Sequence, residues 1–204
     1  MCGRFLILTD EDYNEIMKIV TAVSERYRES EVVKGEAFPT NNVPVVYSHK
    51  GKNILSAAKW GFPKPQNEGL IINARAETVH EKPMFRQSFV SRRCLVPANG
   101  YYEWLAEKEK KTKTKYFIRV KEKRLFYMAG LYNMFTDKSG NTYPAITIIT
   151  TAASPDIEFI HDRMPVILRD EALNIWLDQS NRDINTLRSL LVPYQAGELK
   201  YEAV

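Results

Sequence analysis

The sequence predicts an α+β fold with many short strands and few helices. Apolar or alternating runs of strand length recur along the chain, whereas helical periodicity is confined to one segment near the start and two short segments near the end. The chain has 204 residues, of which 44% are hydrophobic, enough for one large domain with a sizeable core. No repeat, low-complexity tract or linker divides it, so we expect a single domain over residues 1–204.

Charge and cysteine content indicate the kind of partner and the cellular compartment to expect. The net charge is 29 − 25 = +4, which permits a polyanionic partner if the positive charges gather on one face. The two cysteines, Cys2 and Cys94, do not indicate a disulfide framework, and this suits a reducing cytoplasm. No apolar run reaches the length of a signal-peptide core or a membrane span, so we expect no membrane contact.

The first quarter of the chain contains a predicted strand, a helix and a loop. Residues 5–8 form a short apolar run typical of a buried strand. Apolar side chains then recur at helical spacing, which predicts an amphipathic helix over residues 10–27. Residues 29–47 lack a clear period and contain two prolines, Pro39 and Pro44, so we expect a loop there.

The rest of the chain is predicted to form mostly strands and then short helices. The expected strands are residues 54–60, 70–72, 92–97, 101–104, 116–120, 125–132 and 145–149. Ser154 and Pro155 suit the first positions of a short helix that ends at Ile160. Two further helices are expected over residues 170–177 and 184–191. The lysine-rich residues 107–115 are interpreted as a solvated hairpin loop.

The most reactive group that the sequence offers is at position 2. If Met1 is removed, Cys2 carries a free α-amine and a thiol, which together form a 1,2-aminothiol. The amine condenses with an aldehyde to an imine, and the thiol then closes a thiazolidine ring in an intramolecular step with an effective concentration on the order of 10⁵ M or more. Both groups are partly nucleophilic at neutral pH, and a cationic neighbour such as Arg4 is expected to increase that fraction. Alternatively, Cys2 is an ordinary buried thiol.

Two further polar groups follow apolar or aromatic residues. Residues 73–78 (Asn-Ala-Arg-Ala-Glu-Thr) come directly after an apolar strand, a common place for a functional site, although Asn73 also suits the N-cap of a helix. Glu103 lies between aromatic residues, which favours the raised pKa of a general acid. Strand alternation places Tyr102 and Trp104 on one face and Glu103 on the other, where a solvated glutamate is an equally good interpretation.

A third candidate is His161, which stands beside Asp162 and Arg163. Its ring has the chemistry of a general acid or base, although a single histidine is often structural. The chain has no G-x-x-x-x-G-K-[ST], G-x-G-x-x-G or G-x-S-x-G motif, and its histidines and cysteines lack zinc-ligand spacing. The sequence therefore predicts no nucleotide-phosphate loop, no serine-hydrolase elbow, no metal site and no cofactor.

Seven sequence blocks stand in an order that resembles one known family. They are residues 1–5, 60–61, 72–78, 93–97, 102–104, 129–132 and 160–165. In this order they resemble the SOS response-associated peptidase (SRAP) family, from residue 1 to about residue 195. The resemblance implies a mixed, barrel-like β core covered by short helices. It also implies that the protein is a compact bacterial member of the family, located in the cytoplasm and associated with the nucleoid.

The activity that the resemblance implies is covalent capture of abasic sites in single-stranded DNA. In the family, the cysteine that matches Cys2 forms a thiazolidine with C1′ of the opened abasic sugar. Asn73 matches an asparagine that hydrogen-bonds this adduct, and Glu103 matches an acid that protonates the sugar ring oxygen. His161 matches a histidine that assists proton transfer and ring opening. The word peptidase refers to a proposed self-removal of the first methionine, here Met1.

The resemblance also implies a DNA-binding surface. Arg4 and Arg75 match residues that hold the flanking phosphates, and Trp60 matches an aromatic residue that stacks on a neighbouring base. Pro39 and Thr150 fall where the family has DNA-lining residues. The expected partner is single-stranded DNA with abasic sites, bound by a monomer through phosphates and stacking rather than base reading.

One loop departs from the family pattern. Residues 36–41 read Glu-Ala-Phe-Pro-Thr-Asn, where the family usually reads Asn-x-Ala-Pro-Thr-Gln. Glu36, Phe38 and Asn41 are therefore the substituted positions. This difference puts DNA contacts by the loop in question and leaves the reacting cluster intact.

Two other functions remain open from the sequence. An N-terminal-nucleophile hydrolase, such as a glutamine amidotransferase, also begins Met-Cys-Gly and uses its α-amine as the base. Arg4 in place of an apolar residue counts against this hypothesis. A non-catalytic single-strand-binding module would retain abasic DNA without any covalent product, and it would not need Cys2.

Overall fold

β-Strands are the main regular secondary structure of the described part of the chain, and they outnumber the helices. The computed structural model describes residues 2–7, 10–25, 27–28, 31–65, 69–106 and 112–204. Within these ranges the helices are α1 (Asp10–Met17), α2 (Pro83–Ser91), α3 (Asp170–Leu177) and α4 (Ile184–Ser189). The strands are β1 (Arg4–Ile7), β2 (Ala22–Val23), β3 (Gly35–Ala37), β4 (Asn42–His49), β5 (Lys52–Trp60), β6 (Phe62–Pro63), β7 (Leu70–Ile71), β8 (Asn73–Arg75), β9 (Arg93–Ala98), β10 (Gly100–Leu105), β11 (Thr114–Val120), β12 (Phe126–Thr136), β13 (Thr142–Ala152), β14 (Arg163–Pro165), β15 (Ile167–Leu168) and β16 (Leu199–Ala203).

Five of these strands close into a barrel. Antiparallel pairs join β5 to β4, β4 to β9, β9 to β12 and β12 to β13, and a parallel pair between β13 and β5 completes the ring. β12 and β13 are 11 residues long and rich in the β-branched and aromatic residues that favour a pleated, half-buried surface. The prediction of an α+β fold with a mixed, barrel-like β core and short helices is therefore confirmed.

A second, five-stranded sheet holds the start of the chain. Its order is β16-β11-β10-β1-β3, and every neighbouring pair is antiparallel. Arg4 of β1 pairs with Tyr102 of β10, so the chain before β1 runs beside the β10 residues that follow Tyr102. This register brings Cys2 to the part of β10 that carries Glu103.

Strand alternation divides the apolar side chains between two cores. In β4, for example, Val45 belongs to one cluster and Val46 to the other, because successive side chains point to opposite faces. The first cluster contains Cys2 together with the inward-facing residues of the five-stranded sheet. The second contains Phe89 of α2 and Trp176 of α3. The helices therefore cover the second core, and the cysteine lies in the first.

Two predictions near the start of the chain are wrong. The helix expected over residues 10–27 ends at Met17, and β2 then pairs in parallel with β5. Residues 29–47, expected as a loop, contain β3 and most of β4, where Pro44 pairs with Ala57. Burial of Val43 and Val46 in the barrel outweighs the local effect of the proline. Leu8 of the first predicted strand and residues 29 and 30 lie outside the described residues.

The other predicted elements agree with the structure except after Ser154, whereas α2 and five strands (β6, β8, β14, β15 and β16) were not predicted. α3 covers the predicted residues 170–177, and the other predicted strands are confirmed within a few residues. The segment after Ser154 forms successive turns instead of a helix, with the N–H groups of Ile157 and Glu158 both donating to the Ser154 carbonyl. α2 was not predicted, although Pro83 at its start and Phe85 and Phe89 on one face are consistent with a helix. Of the lysine-rich run, residues 107–111 lie outside the described residues.

Candidate functional site: a buried cysteine cluster

Cys2 is a fully buried thiol at the entrance to β1. Its Sγ donates a weak hydrogen bond to the carbonyl oxygen of Arg4 over 3.7 Å, which requires the protonated thiol. Burial, and then the charge of Glu103, raise the pKa of Cys2 well above its usual range. The expectation that Arg4 would activate the thiol is therefore wrong, because desolvation dominates and the Arg4 guanidinium pairs with Glu36 instead. Met1 lies outside the described residues.

Asn73 fixes the backbone at Cys2. It lies in β8, which pairs in parallel with β13 and sets Asn73 opposite Ile148, so the alternative of a helix N-cap is wrong. Its Nδ2 donates to the Cys2 carbonyl oxygen over 2.9 Å. Its Oδ1 is buried and has no hydrogen-bond partner among the described residues. One side of the amide thus orients the cysteine, and the other keeps an acceptor for a further group.

Glu103 is a carboxyl group placed in the core. The residue is only 3% exposed, so the solvated interpretation is wrong and the predicted alternation of β10 is confirmed. Burial raises the pKa of Glu103 above its usual range, because water is not available to stabilise the carboxylate. A carboxyl group of this kind keeps its proton to higher pH and has the property expected of a general acid.

His161 lies at the end of the turn segment before β14. The backbone N–H of Arg163 donates to its Nδ1 over 3.0 Å, so Nδ1 is the acceptor and the neutral ring carries its proton on Nε2. Oδ1 of Asp162 is 2.8 Å from the same Nδ1, a contact that would need the protonated ring. Burial lowers the pKa of His161 below its usual value, which favours the neutral ring and the backbone bond. The Asp162 carboxylate is 84% exposed and is free to hydrate.

Two residues expected to line DNA are in the interior instead. Trp60 is fully buried, its Nε1 donates to the Ile72 carbonyl over 3.1 Å, and its ring packs edge-on against Phe5 with centroids 4.8 Å apart. Thr150 is also fully buried, and its carbonyl accepts from Arg163 over 2.7 Å. Neither side chain is available to a base or a backbone phosphate, so the structure contradicts these two assignments.

The other expected DNA contacts are at the surface. Arg75, the last residue of β8, is exposed, and Pro39 is half-buried in the turn between β3 and β4. Arg4 is half-buried, and its guanidinium lies 4.7 Å from the ring centre of Phe38 and 4.9 Å from that of Trp104. Arg75 and Asn73 are two residues apart on one strand, so both project from the same face of β8.

The structure brings one further group to the cluster, Tyr101. It is fully buried and shares the inner face of β10 with Glu103. Burial, and then the charges of Cys2 and Glu103, raise its pKa well above the usual value. The hydroxyl has no hydrogen-bond partner among the described residues. Its i, i+2 spacing from Glu103 was the only sequence signal that could have identified it.

No metal site or membrane span accompanies this cluster in the ranges that the structure describes. No group of histidine, cysteine, aspartate and glutamate side chains there could hold a metal ion. Among the same residues, no helix has both the length and the apolar character needed to cross a bilayer. A surface cleft of about 610 Å³ is lined by Leu6, Phe117 and Arg119, among others, and is not formed by the cysteine cluster.

The structure thus combines a barrel-cored α+β fold with a buried cysteine near the start of the chain, held by an amide and lying near a carboxyl group. The chain belongs to the family described as SOS response associated peptidase (SRAP), whose family model matches residues 1–204.

Relatives and solved structures agree with this assignment. The chain is 40% identical over 207 residues to abasic site processing protein YoqW of Bacillus subtilis (strain 168), covering 98% of this chain and 90% of that protein. It is 39% identical over 207 residues to abasic site processing protein YobE of the same organism, covering 98% of this chain and 92% of that protein. An X-ray structure of a Bacteroides thetaiotaomicron protein has a TM-score of 0.85 and 26% identity, and the match covers 100% of this chain and 92% of that one.

Proposed function

We propose that this protein processes abasic sites in single-stranded DNA by forming a covalent crosslink through Cys2. The observation that carries the proposal is the placement of Cys2, whose carbonyl accepts from Asn73 and whose buried thiol lies near the buried Glu103 carboxyl. The names of the relatives support the choice of substrate. The protein is proposed to act as a monomer with a single domain and no cofactor. Its proposed location is the cytoplasm, in association with the nucleoid.

The first chemical step is opening of the abasic sugar. In the closed form, C1′ carries a hydroxyl group and is bonded to the ring oxygen. The proton of the Glu103 carboxyl is transferred to the ring oxygen as the C1′–O bond breaks, and the C1′ hydroxyl loses its proton to leave an aldehyde. Glu103 suits this role because burial raises its pKa and keeps it protonated closer to neutral pH. His161, neutral because burial lowers its pKa, is the proposed acceptor of the hydroxyl proton.

The second step joins the protein to the sugar. The α-amine of Cys2 adds to the C1′ aldehyde and water leaves, which gives an imine. The Cys2 sulfur then adds to the imine carbon while the thiol proton moves to the nitrogen, so the thiazolidine forms with overall loss of one water. A thiol with a raised pKa fits this order, because the imine nitrogen takes up the proton that the sulfur gives up. Asn73 Oδ1 is the proposed acceptor for a hydroxyl or N–H of the adduct.

The amine requires that Met1 be removed first. Hydrolysis of the Met1–Cys2 peptide bond consumes one water and releases methionine. We propose that the same cluster carries out this peptidase-like step, since the family description includes the word peptidase. Arg75, exposed on the face of β8 that carries Asn73, is proposed to hold a phosphate beside the lesion.

Intact mass spectrometry tests the proposal directly. The purified protein is measured alone and after incubation with a single-stranded oligonucleotide that contains one abasic site. We expect loss of Met1, followed by an adduct with the mass of the protein plus the oligonucleotide minus one water. The adduct should persist on a denaturing gel. Cys2→Ser should form an imine that borohydride traps, without a stable adduct.

Four outcomes would contradict the proposal. If Met1 is permanently retained, or if abasic DNA separates intact under denaturing conditions, the crosslinking mechanism is wrong. Retention of abasic DNA by Cys2→Ala as strongly as by wild type, with no covalent product from either, would indicate a non-catalytic binding module. Steady release of ammonia from glutamine would instead indicate an N-terminal-nucleophile hydrolase.

A further inference from the structure

A compact charged cluster lies on the five-stranded sheet. It connects residues 36–41, the loop that differs from the family pattern, to β1, the strand that follows Cys2. We call it the Glu36 cluster: Glu36 of β3, Arg4 of β1, Lys115 of β11, and the rings of Phe38 and Trp104. The Arg4 guanidinium donates to Oε1 of Glu36 over 3.2 Å. The Lys115 ammonium donates to both carboxylate oxygens of Glu36, over 3.1 Å each. Two cations from different strands therefore converge on one carboxylate.

This arrangement resembles an anion-binding site in which the protein's own Glu36 carboxylate is the bound anion. The Arg4 guanidinium makes cation–π contacts with two rings, Phe38 and Trp104, which favour its position beside Glu36. Lys115 is held 3.9 Å from the ring centre of Tyr102. A carboxylate and a phosphate both present oxygens that accept from such cations, so a phosphate can take the place that Glu36 now occupies.

We propose that Arg4 and Lys115 together bind one backbone phosphate of single-stranded DNA, and that Glu36 fills this site when DNA is absent. The inference rests on the proposed function, because it takes single-stranded DNA as the substrate. It adds Lys115 as a second phosphate ligand and makes Glu36 an internal competitor that sets DNA affinity. The substituted loop at residues 36–41 thus lowers the affinity for DNA without altering the cysteine cluster.

The surroundings favour a DNA phosphodiester over free phosphate. Arg4 is two residues from Cys2, so a phosphate bound there lies next to the position proposed for the lesion. Phe38 is 42% exposed beside the cations, and an exposed ring accepts a stacked base, which free phosphate does not have. The net charge of the three ionised groups is +1, so removal of the Glu36 charge doubles the positive charge available to the strand.

The size of the effect follows from the exposure of the pairs. The side chains of Arg4, Glu36 and Lys115 are 39%, 26% and 25% exposed, so solvent weakens each ion pair without abolishing it. Partly exposed pairs of this kind contribute modestly, and two of them sharing one carboxylate predict that Glu36→Gln tightens DNA binding by about fivefold.

The test is fluorescence anisotropy with a labelled single-stranded oligonucleotide that has no abasic site. Wild type and Glu36→Gln are titrated at several salt concentrations, and Glu202→Gln is the matched control. Glu202→Gln changes the net charge by the same amount as Glu36→Gln. Glu202 lies on β16, at the opposite edge of the sheet from β3, the strand that carries Glu36. We expect tighter binding for Glu36→Gln only. Lys115→Met should weaken binding and remove part of the gain when combined with Glu36→Gln.

Several outcomes overturn the inference. Unchanged or weaker binding by Glu36→Gln would show that Glu36 positions Arg4 rather than competing with DNA. An equal gain in Glu202→Gln would show a net-charge effect, and no binding by either protein would exclude the site. Displacement of the oligonucleotide by low concentrations of inorganic phosphate would assign the site to free phosphate. If Glu36→Gln binds DNA more tightly as expected but the wild type does not crosslink abasic DNA, only the proposed function is overturned.

Discussion

At the scale of single residues, the proposed chemistry depends on the proton of Glu103. This carboxyl group is 3% exposed, and burial raises its pKa because the charged form loses its hydration. Burial also keeps the Cys2 thiol protonated, and where Glu103 is ionised its negative charge adds to this effect. The two groups therefore keep their protons to higher pH than in free side chains, and the proposed reaction takes these protons as the sugar opens and the ring closes.

The crosslinking rate should fall as pH rises through the raised pKa of Glu103, because only the protonated carboxyl can donate to the sugar. We expect Glu103→Gln to react more slowly and to lose this dependence, while it still binds single-stranded DNA. Single-turnover rates between about pH 5 and about pH 8 measure the effect. An unchanged rate in Glu103→Gln would remove Glu103 from the role of acid.

The effect of the same substitution on stability should depend on pH. A carboxyl group with a raised folded-state pKa favours folding below its unfolded pKa of about 4.3, and this contribution is lost as pH rises through the folded value. Glu103→Gln should therefore raise the melting temperature more at alkaline than at acid pH. Thermal melts at both extremes provide the measurement, and the opposite trend would show that Glu103 is ionised in the fold.

Tyr101→Phe should stabilise the protein. The Tyr101 hydroxyl is buried without a hydrogen-bond partner among the described residues, and removal of such a group relieves a cost of about 1 kcal/mol or more. Urea denaturation of Tyr101→Phe, compared with the half-exposed Tyr201→Phe, measures the difference. A loss of stability in Tyr101→Phe alone would mean that the hydroxyl is hydrogen-bonded in solution.

The side chains that gather around Cys2 were largely predictable from the sequence, whereas the burial of the proposed DNA-contact residues was not. Glu103, Asn73 and Cys2 were identified by motif and chemistry, and strand alternation gave the correct face for Glu103. Trp60 was wrongly assigned because a tryptophan at a strand end suits either a core or a stacking surface, and only the three-dimensional packing separates the two. Lys115 was missed since its partner, Glu36, is 79 residues away in the chain.

At the scale of elements, β10 is the strand on which the site depends, and its first residue must be glycine. A Cβ added at Gly100 would lie 2.2 Å from Cε2 of Phe117 and 2.9 Å from the Ile118 carbonyl oxygen. Phe117 and Ile118 belong to β11, which pairs with β10 along its length. A side chain at this position would therefore separate the two strands that hold Glu103 in place.

Gly100→Ala should lower the free energy of unfolding by about 1–3 kcal/mol, because the clash involves the backbone of β11 as well as a side chain. Gly140→Ala is the comparison, since its Cβ meets nothing within 4 Å and its cost is limited to the positive φ of 85°. Urea denaturation measures both variants. A smaller loss in Gly100→Ala than in Gly140→Ala would contradict the close packing of β10 on β11.

Element prediction succeeded where local pattern and burial agree. α3 begins with Asp170 and Glu171, which suit a helix N-terminus, and it was predicted at its observed bounds. Ser154 and Pro155 have the same local qualities, but the following residues form turns that lead directly into β14, so the tertiary structure decides. Pro44 misled the prediction of β4 because a barrel strand tolerates a proline where its neighbours are buried.

At the scale of the whole molecule, one buried arginine ties the barrel to its helical cover. Arg93 at the start of β9 is fully buried, and burial lowers its pKa to about 10. Its guanidinium donates to five backbone carbonyls, those of Phe89, Val90, Trp176, Asp178 and Asn181. These carbonyls lie at the ends of α2 and α3 and just beyond α3, so the side chain closes both helices onto the barrel.

Arg93→Met should destabilise the fold by about 3–5 kcal/mol, because it leaves these carbonyls buried without a donor. Arg92→Met is the matched control, since the neighbouring Arg92 donates to Asn133 from a half-buried position and should cost about 1 kcal/mol. Urea denaturation of the two variants measures the difference. Equal losses would show that the carbonyls of α2 and α3 are satisfied by water.

The position of β1 inside its sheet has a mechanical consequence. β1 is hydrogen-bonded to β10 on one side and to β3 on the other, and Cys2 lies at its end. Tension applied along β1 by a DNA strand joined to Cys2 would load both hydrogen-bond ladders in shear, so that their bonds share the force instead of opening one after another. If Cys2 is crosslinked to DNA as we propose, a polymerase or helicase that pulls on the crosslinked strand would have to extract β1 from between its two neighbouring strands.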